Sequence, residues 1–112
     1  MATSQSTMDY ITDQLIRLGD IRTKKMFGEY AVYHDNKVVA FVCDDKFFLK
    51  PTEAGKLLLK KPVEAPPYPG AKMYYLLDEV IIDDPDQFCA LIRATAEALP
   101  VPQLKSPKRR KK

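Results

Sequence analysis

Between positions 28 and 50, three runs of strand-forming residues are separated by only two short polar clusters. Residues 28–33 (Gly-Glu-Tyr-Ala-Val-Tyr) and 38–43 (Val-Val-Ala-Phe-Val-Cys) are rich in aromatic and β-branched side chains, and residues 47–50 (Phe-Phe-Leu-Lys) form a third run. His34-Asp35-Asn36-Lys37 and Asp44-Asp45-Lys46 are turn clusters, because Asp and Asn tolerate positive φ and hydrogen-bond their own backbone. Connections this short make the runs antiparallel neighbours, so they predict a three-stranded meander. The middle run lacks polar alternation, which predicts a central strand covered on both faces.

Helical signals flank the meander. Met8, Ile11, Leu15 and Leu18 share one helical face, with Ser6 or Thr7 as cap, Asp9 in the first turn and Gly19 as terminator. This predicts a helix over residues 8–18. After Pro51, Thr52 caps a short predicted helix reaching about Lys60, weakened by Gly55. Residues 62–70 hold four prolines, which remove four backbone donors, so this stretch is expected to hold no regular structure and to run extended over the surface. Residues 73–77 (Met-Tyr-Tyr-Leu-Leu) predict a fourth strand, and residues 78–83 fit either its continuation or a helical turn. Asp84, Pro85 and Gln87 then form a capping-box helix start. Phe88, Leu91, Ile92, Thr95, Ala96 and Leu99 make the apolar stripe of that last helix. The expected fold is α+β: a small antiparallel sheet, a three-stranded meander plus a fourth strand, packed with N- and C-terminal helices.

A chain of 112 residues predicts one domain with a real core. The expected division is a flexible start at 1–7, a folded unit at 8–100 and a disordered basic tail at 101–112. The tail alone makes the chain basic. Lys105, Lys108, Arg109, Arg110, Lys111 and Lys112 place six positive charges in the last eight residues. Without them, twelve basic residues face fifteen acidic ones, a net charge of −3. No apolar run is long enough to span a bilayer, and the first seven residues lack the basic-then-apolar order of a signal peptide. Cys43 and Cys89 sit in apolar surroundings and read as packed free thiols, which predicts the reducing cytoplasm.

Catalytic constellations are hard to assemble from this sequence. His34 is the single histidine and falls in a turn. Neither cysteine has a histidine or basic partner nearby, no Cys/His spacing fits zinc, and the acidic pairs Asp44-Asp45 and Asp83-Asp84 read as turn formers and caps. The four glycines are too scattered to cradle a phosphate. The expectation is therefore no catalytic residue, no metal and no cofactor. Met26-Phe27-Gly28 fits either a structural role under the sheet or a partner-binding edge beside Arg22, Lys24 and Lys25. Tyr74 and Tyr75 must point to opposite faces of a strand. One is expected in the core, the other in an aromatic patch with Tyr30 or Tyr33.

Lys24-Lys25-Met26-Phe27-Gly28-Glu29-Tyr30 resembles the strand opening of the TfoX (Sxy) N-terminal domain family. Agreement continues through Val38-Val39-Ala40-Phe41-Val42, Asp44-Asp45-Lys46-Phe47-Phe48-Leu49-Lys50, Tyr68-Pro69-Gly70, Lys72-Met73-Tyr74-Tyr75 and Asp83-Asp84-Pro85-Asp86. It spans about Tyr10 to Leu99, with Glu29 standing where the family usually has a second glycine. The best-known members are bacterial competence regulators that carry a second, C-terminal domain and act with the cyclic-AMP receptor protein. Only the basic tail follows Leu99 here, so a single-domain member is expected. The resemblance implies a non-enzymatic regulatory or adaptor module that binds a protein partner, such as a component of the transcription machinery; a monomer or homodimer with no membrane association is expected. The candidate partner surface is Met26, Phe27, Gly28, Tyr30, Tyr33, Tyr74 and Tyr75. The tail lysines and arginines are the candidate contact to DNA or RNA. The alternative is a small-ligand-binding protein or minor enzyme, with a pocket near the Pro-rich loop at Tyr68, Lys72 and Tyr75.

Overall fold

The computed structural model describes residues 3–26 and 29–100. The element order is α1 (Gln5–Gln14), a 3₁₀ turn (Ile16–Leu18), β1 (Ile21–Met26), β2 (Glu29–His34), β3 (Lys37–Cys43), β4 (Lys46–Leu49), α2 (Glu53–Leu59), β5 (Val63–Ala65), β6 (Tyr74–Leu77), α3 (Glu79–Ile82) and α4 (Pro85–Ala98). All strands form one antiparallel sheet in the order β1-β2-β3-β4-β6-β5. The α+β class is as expected, and β3 is central. The strand count is not: among the described residues the sheet has six strands, where four were predicted.

The two inner hairpins follow from local chemistry. Asp35 and Asn36 have φ of 55° and 63°, and Asp44 and Asp45 have 53° and 61°. Positive φ at both central residues marks the two-residue turn whose twist matches the flanking strands. These turns set the register, pairing His34 with Lys37 and Cys43 with Lys46. A bulge between Val32 and Tyr33 and their β3 partners lets both Val39 and Ala40 enter the core.

The two unpredicted strands are the edges. β1 (Ile-Arg-Thr-Lys-Lys-Met) exposes its four middle residues, so it carries no burial alternation to read. Lysines of this kind are a common way to blunt an edge. β5 is three residues long, and the flanking Pro62 and Pro66 lie just outside it, where their missing donors cost no ladder bond. It pairs with β6 through Val63–Leu76, Glu64–Tyr75 and Ala65–Tyr74.

Helix starts depend on side-chain caps. Asp84 accepts from the Gln87 amide at 3.3 Å with Pro85 in the first turn, as the sequence predicts. Asp78 accepts from the Ile81 amide at 3.1 Å, which settles residues 79–82 as helix. Thr52 accepts from the Gly55 amide at 3.0 Å. Gly55 is also a close approach: a Cβ there would lie 3.1 Å from Thr52 Oγ1 and 3.4 Å from Thr95 Oγ1. α1 begins at Gln5, earlier than the predicted Met8, because Ser4 is the cap. Ser4 is itself held by its amide, which donates to Asp45 Oδ1 at 2.8 Å.

The helices cover one sheet face. Met8, Ile11 and Leu15 meet Phe88, Leu91, Ile92 and Ala96 over Val32, Val42, Phe47, Leu49 and Leu77 in one buried cluster. Phe47 and Phe88 pack edge to face, with centroids 5.0 Å apart at 79°. Burying each such side chain contributes about 1.5–3 kcal/mol. Cys89 is a free core thiol 3.5 Å from the Gln14 carbonyl. No helix among the described residues is long and apolar enough to cross a membrane.

Candidate partner-binding face

Strand alternation sorts the sheet into rows. Tyr30, Val42, Phe47 and Leu77 stand opposite one another, as do Val32, Ala40, Leu49 and Tyr75. Both rows belong to the helix-side core. The intervening row, Ala31, Phe41, Phe48, Leu76 and Val63, must face the other way. That row is apolar throughout. Ala31 and Phe48 are buried, although neither belongs to the helix-side cluster. Phe41, Tyr74 and Leu76 are half-buried.

The Pro-rich segment crosses this second face. Pro67 is buried, and Tyr68 beside it is 57% exposed. Together with Met26, Glu29, Phe41 and Cys43 they line an open groove of about 560 Å³. Phe41 packs against Tyr74 with centroids 5.6 Å apart and rings inclined at 44°. Burial raises the Tyr74 phenol above its ordinary pKa, and the nearby Tyr68 adds to the shift. Burial likewise pushes the Cys43 thiol up to about 11, with Glu29 contributing. A thiol so held is protonated at neutral pH and is a poor nucleophile. The Glu29 carboxylate is occupied: it accepts from the Thr3 hydroxyl at 2.6 Å and the Asp44 amide at 3.1 Å.

The candidate residues divide between the faces. Met26 lines the groove, and Tyr74 stands against its Phe41 wall. Tyr75 is in the helix-side core, opposite Leu49. Tyr30 is 8% exposed, and its hydroxyl donates to Gln5 Oε1 at 3.2 Å, although the residue also reaches the groove wall. Tyr33 is half-buried, farther along β2. Phe27, Gly28 and the tail residues 105–112 lie outside the described residues. The trio Tyr68, Lys72 and Tyr75 does not converge, since Tyr75 belongs to the opposite face and Lys72 is exposed. The candidate partner surface expected from the sequence does not include Phe41, Cys43 or Pro67, which line the groove. The two-residue turn at Asp44-Asp45 held the signal for two of them: it places Phe41 opposite Phe48 and starts the outward row at Cys43.

Little else converges. Among the described residues no group of three or more His, Cys, Asp or Glu could hold a metal ion. His34 is half-buried, with Nδ1 3.3 Å from the Asp20 carbonyl.

The family described as the TfoX N-terminal domain matches residues 13–99, a span that contains every groove residue. The chain belongs to this family. It is also 46% identical, over 103 residues, to an uncharacterized 12.7 kDa protein in the trpE 5′ region of Spirochaeta aurantia. That match covers 92% of this chain and 89% of the relative. The TfoX N-terminal domain family is not a known enzyme family.

Proposed function

We propose that this TfoX N-terminal domain is a non-enzymatic regulatory adaptor of the cytoplasm that binds a protein partner through the sheet face its helices leave open. The observation that carries this reading is the apolar, half-exposed set Phe41, Tyr74, Leu76 and Met26 on that face, with the Pro67–Tyr68 segment standing beside only Phe41 and Met26 in the groove wall. Aromatic residues and Met are enriched in the centres of protein interfaces. The one thiol among the groove-lining residues, Cys43, is held protonated by burial with Glu29 contributing, and the Glu29 carboxylate is taken up by Thr3 and Asp44, so the face favours recognition over turnover.

A photo-crosslinking residue placed at Tyr68 in the native cell tests this. A discrete crosslinked protein, lost when Tyr74→Ala and Met26→Asp are combined, is the expected result. No crosslinked species at any expression level would overturn it.

The tail, residues 105–112, is proposed to add weak, sequence-blind affinity for nucleic acid. Five or so phosphate contacts would give steep salt dependence. Deleting the tail should abolish duplex binding at low salt, and binding that survives deletion and ignores salt would refute this role.

A further inference from the structure

The sheet ends in two different edges. β5 is three residues long and bounded by prolines. β1 is six residues long, pairs with β2 over its full length and, among the described residues, has no strand on its other side. Alternate residues of such an edge present N–H and C=O groups outward, ready to pair with another chain. Arg22, Lys24 and Lys25 give β1 three positive charges and no acid. Arg22 is engaged by the Asn36 amide oxygen and lies 3.9 Å from Asp20. Among the described residues, the side chains of Lys24 and Lys25 make no hydrogen bond or ion pair.

Register arithmetic decides what can pair there. A second copy laid antiparallel over the whole strand would put Ile21 opposite Met26, Arg22 opposite Lys25 and Thr23 opposite Lys24. Arg22 would meet Lys25 twice, and like charges directly opposite are destabilising. An acidic strand meets the reverse condition, because carboxylates at those positions would stand within about 5 Å of the cations. The edge also leads into the groove: Met26, the last residue of β1, is one of its walls.

We propose that β1 is a docking edge for an extended acidic segment of a protein partner, which adds to the sheet as a further strand and seats one apolar side chain in the groove beside Met26. Backbone pairing supplies affinity, while the cations and the groove supply selectivity. The proposal rests on the adaptor reading and specifies its partner's chemistry.

The probe is a displayed library of random segments, each about twelve residues long, selected on the intact protein. Selected segments are expected to alternate Asp or Glu with β-branched or aromatic residues. Lys24→Glu with Lys25→Glu should weaken them roughly tenfold or more, whereas Lys56→Glu with Lys61→Glu, the same charge change on and beside α2, should change little. N-methylating alternate amides of a selected segment should abolish binding on one edge and spare it on the other. Neutral or basic winners, indifference to the β1 reversal, or indifference to N-methylation would each overturn the proposal. Self-association that competes with the segments would also overturn it, by giving the edge to a second copy. Crosslinking from Tyr68 that survives the β1 reversal would sink the docking edge and leave the adaptor reading standing. Absence of any crosslink would sink the adaptor reading itself.

Discussion

On the helix side of the sheet, Phe47 meets Phe88 edge-on and neither ring reaches solvent. On the other side Phe41 meets Tyr74 in a looser, tilted contact, and both remain half-exposed. The residue types are nearly the same. What differs is the cover: two long helices with matched apolar stripes on one face, and a proline-rich strap on the other. A strap without regular structure cannot interdigitate along its length, so it leaves apolar area and a groove behind. One face is given over to stability, and the other keeps surface for binding.

The strongest way to break this contrast is to truncate one ring on each side. Phe47→Ala should cost about 3–5 kcal/mol, read as the midpoint of urea unfolding. Phe41→Ala, starting half-exposed, should cost roughly 1–2 kcal/mol. Equal losses would mean that the two faces are packed alike. A subtler test concerns a flaw in the tight face. The Thr95 hydroxyl is fully buried and has no hydrogen-bond partner among the described residues. Thr95→Val keeps the shape and removes the orphan, and should raise stability by about 1 kcal/mol in the same assay.

The last and smallest effect lies where α1 meets the sheet. The Ser4 amide first, then the Thr7 hydroxyl, hold the exposed Asp45 carboxyl below its ordinary pKa. A depressed carboxylate stabilises the fold fully above its unfolded pKa and loses that contribution as pH falls through the folded value. The melting temperature of the wild type should therefore exceed that of Asp45→Asn at about pH 6, and the gap should close towards about pH 2. A gap independent of pH would show that the carboxylate charge plays no part.

The elements legible in the sequence are those whose signal is local. Asp84, Pro85 and Gln87 announce α4, and Asp35-Asn36 and Asp44-Asp45 announce two hairpins, because cap and turn chemistry act within a few residues. The edge strands were hidden for a physical reason. Lys24 and Lys25 bury nothing, and Val63–Ala65 is framed by prolines, so pairing alone makes them strands. The start of α1 depends on Asp45, about forty residues away in sequence. For the site, alternation separates Tyr74 from Tyr75. Which of them enters the core is decided by the pairing of Tyr75 with Leu49, and that requires the register of β4 on β6. Tyr30 looked like a surface aromatic, yet it stands opposite Val42 in the core.

The position of α4 along the chain has a consequence for synthesis. The hairpins of residues 21–49 emerge from the ribosome early, and their near-neighbour pairings form quickly. Phe88, which caps Phe47, emerges some forty residues later. Until then the nascent sheet has apolar side chains on both sides, the condition under which growing chains stick to one another. The helix-side face of the sheet is therefore fully covered only after residues 50–98 have been made, and that stretch of synthesis is the interval in which the chain is most exposed to aggregation.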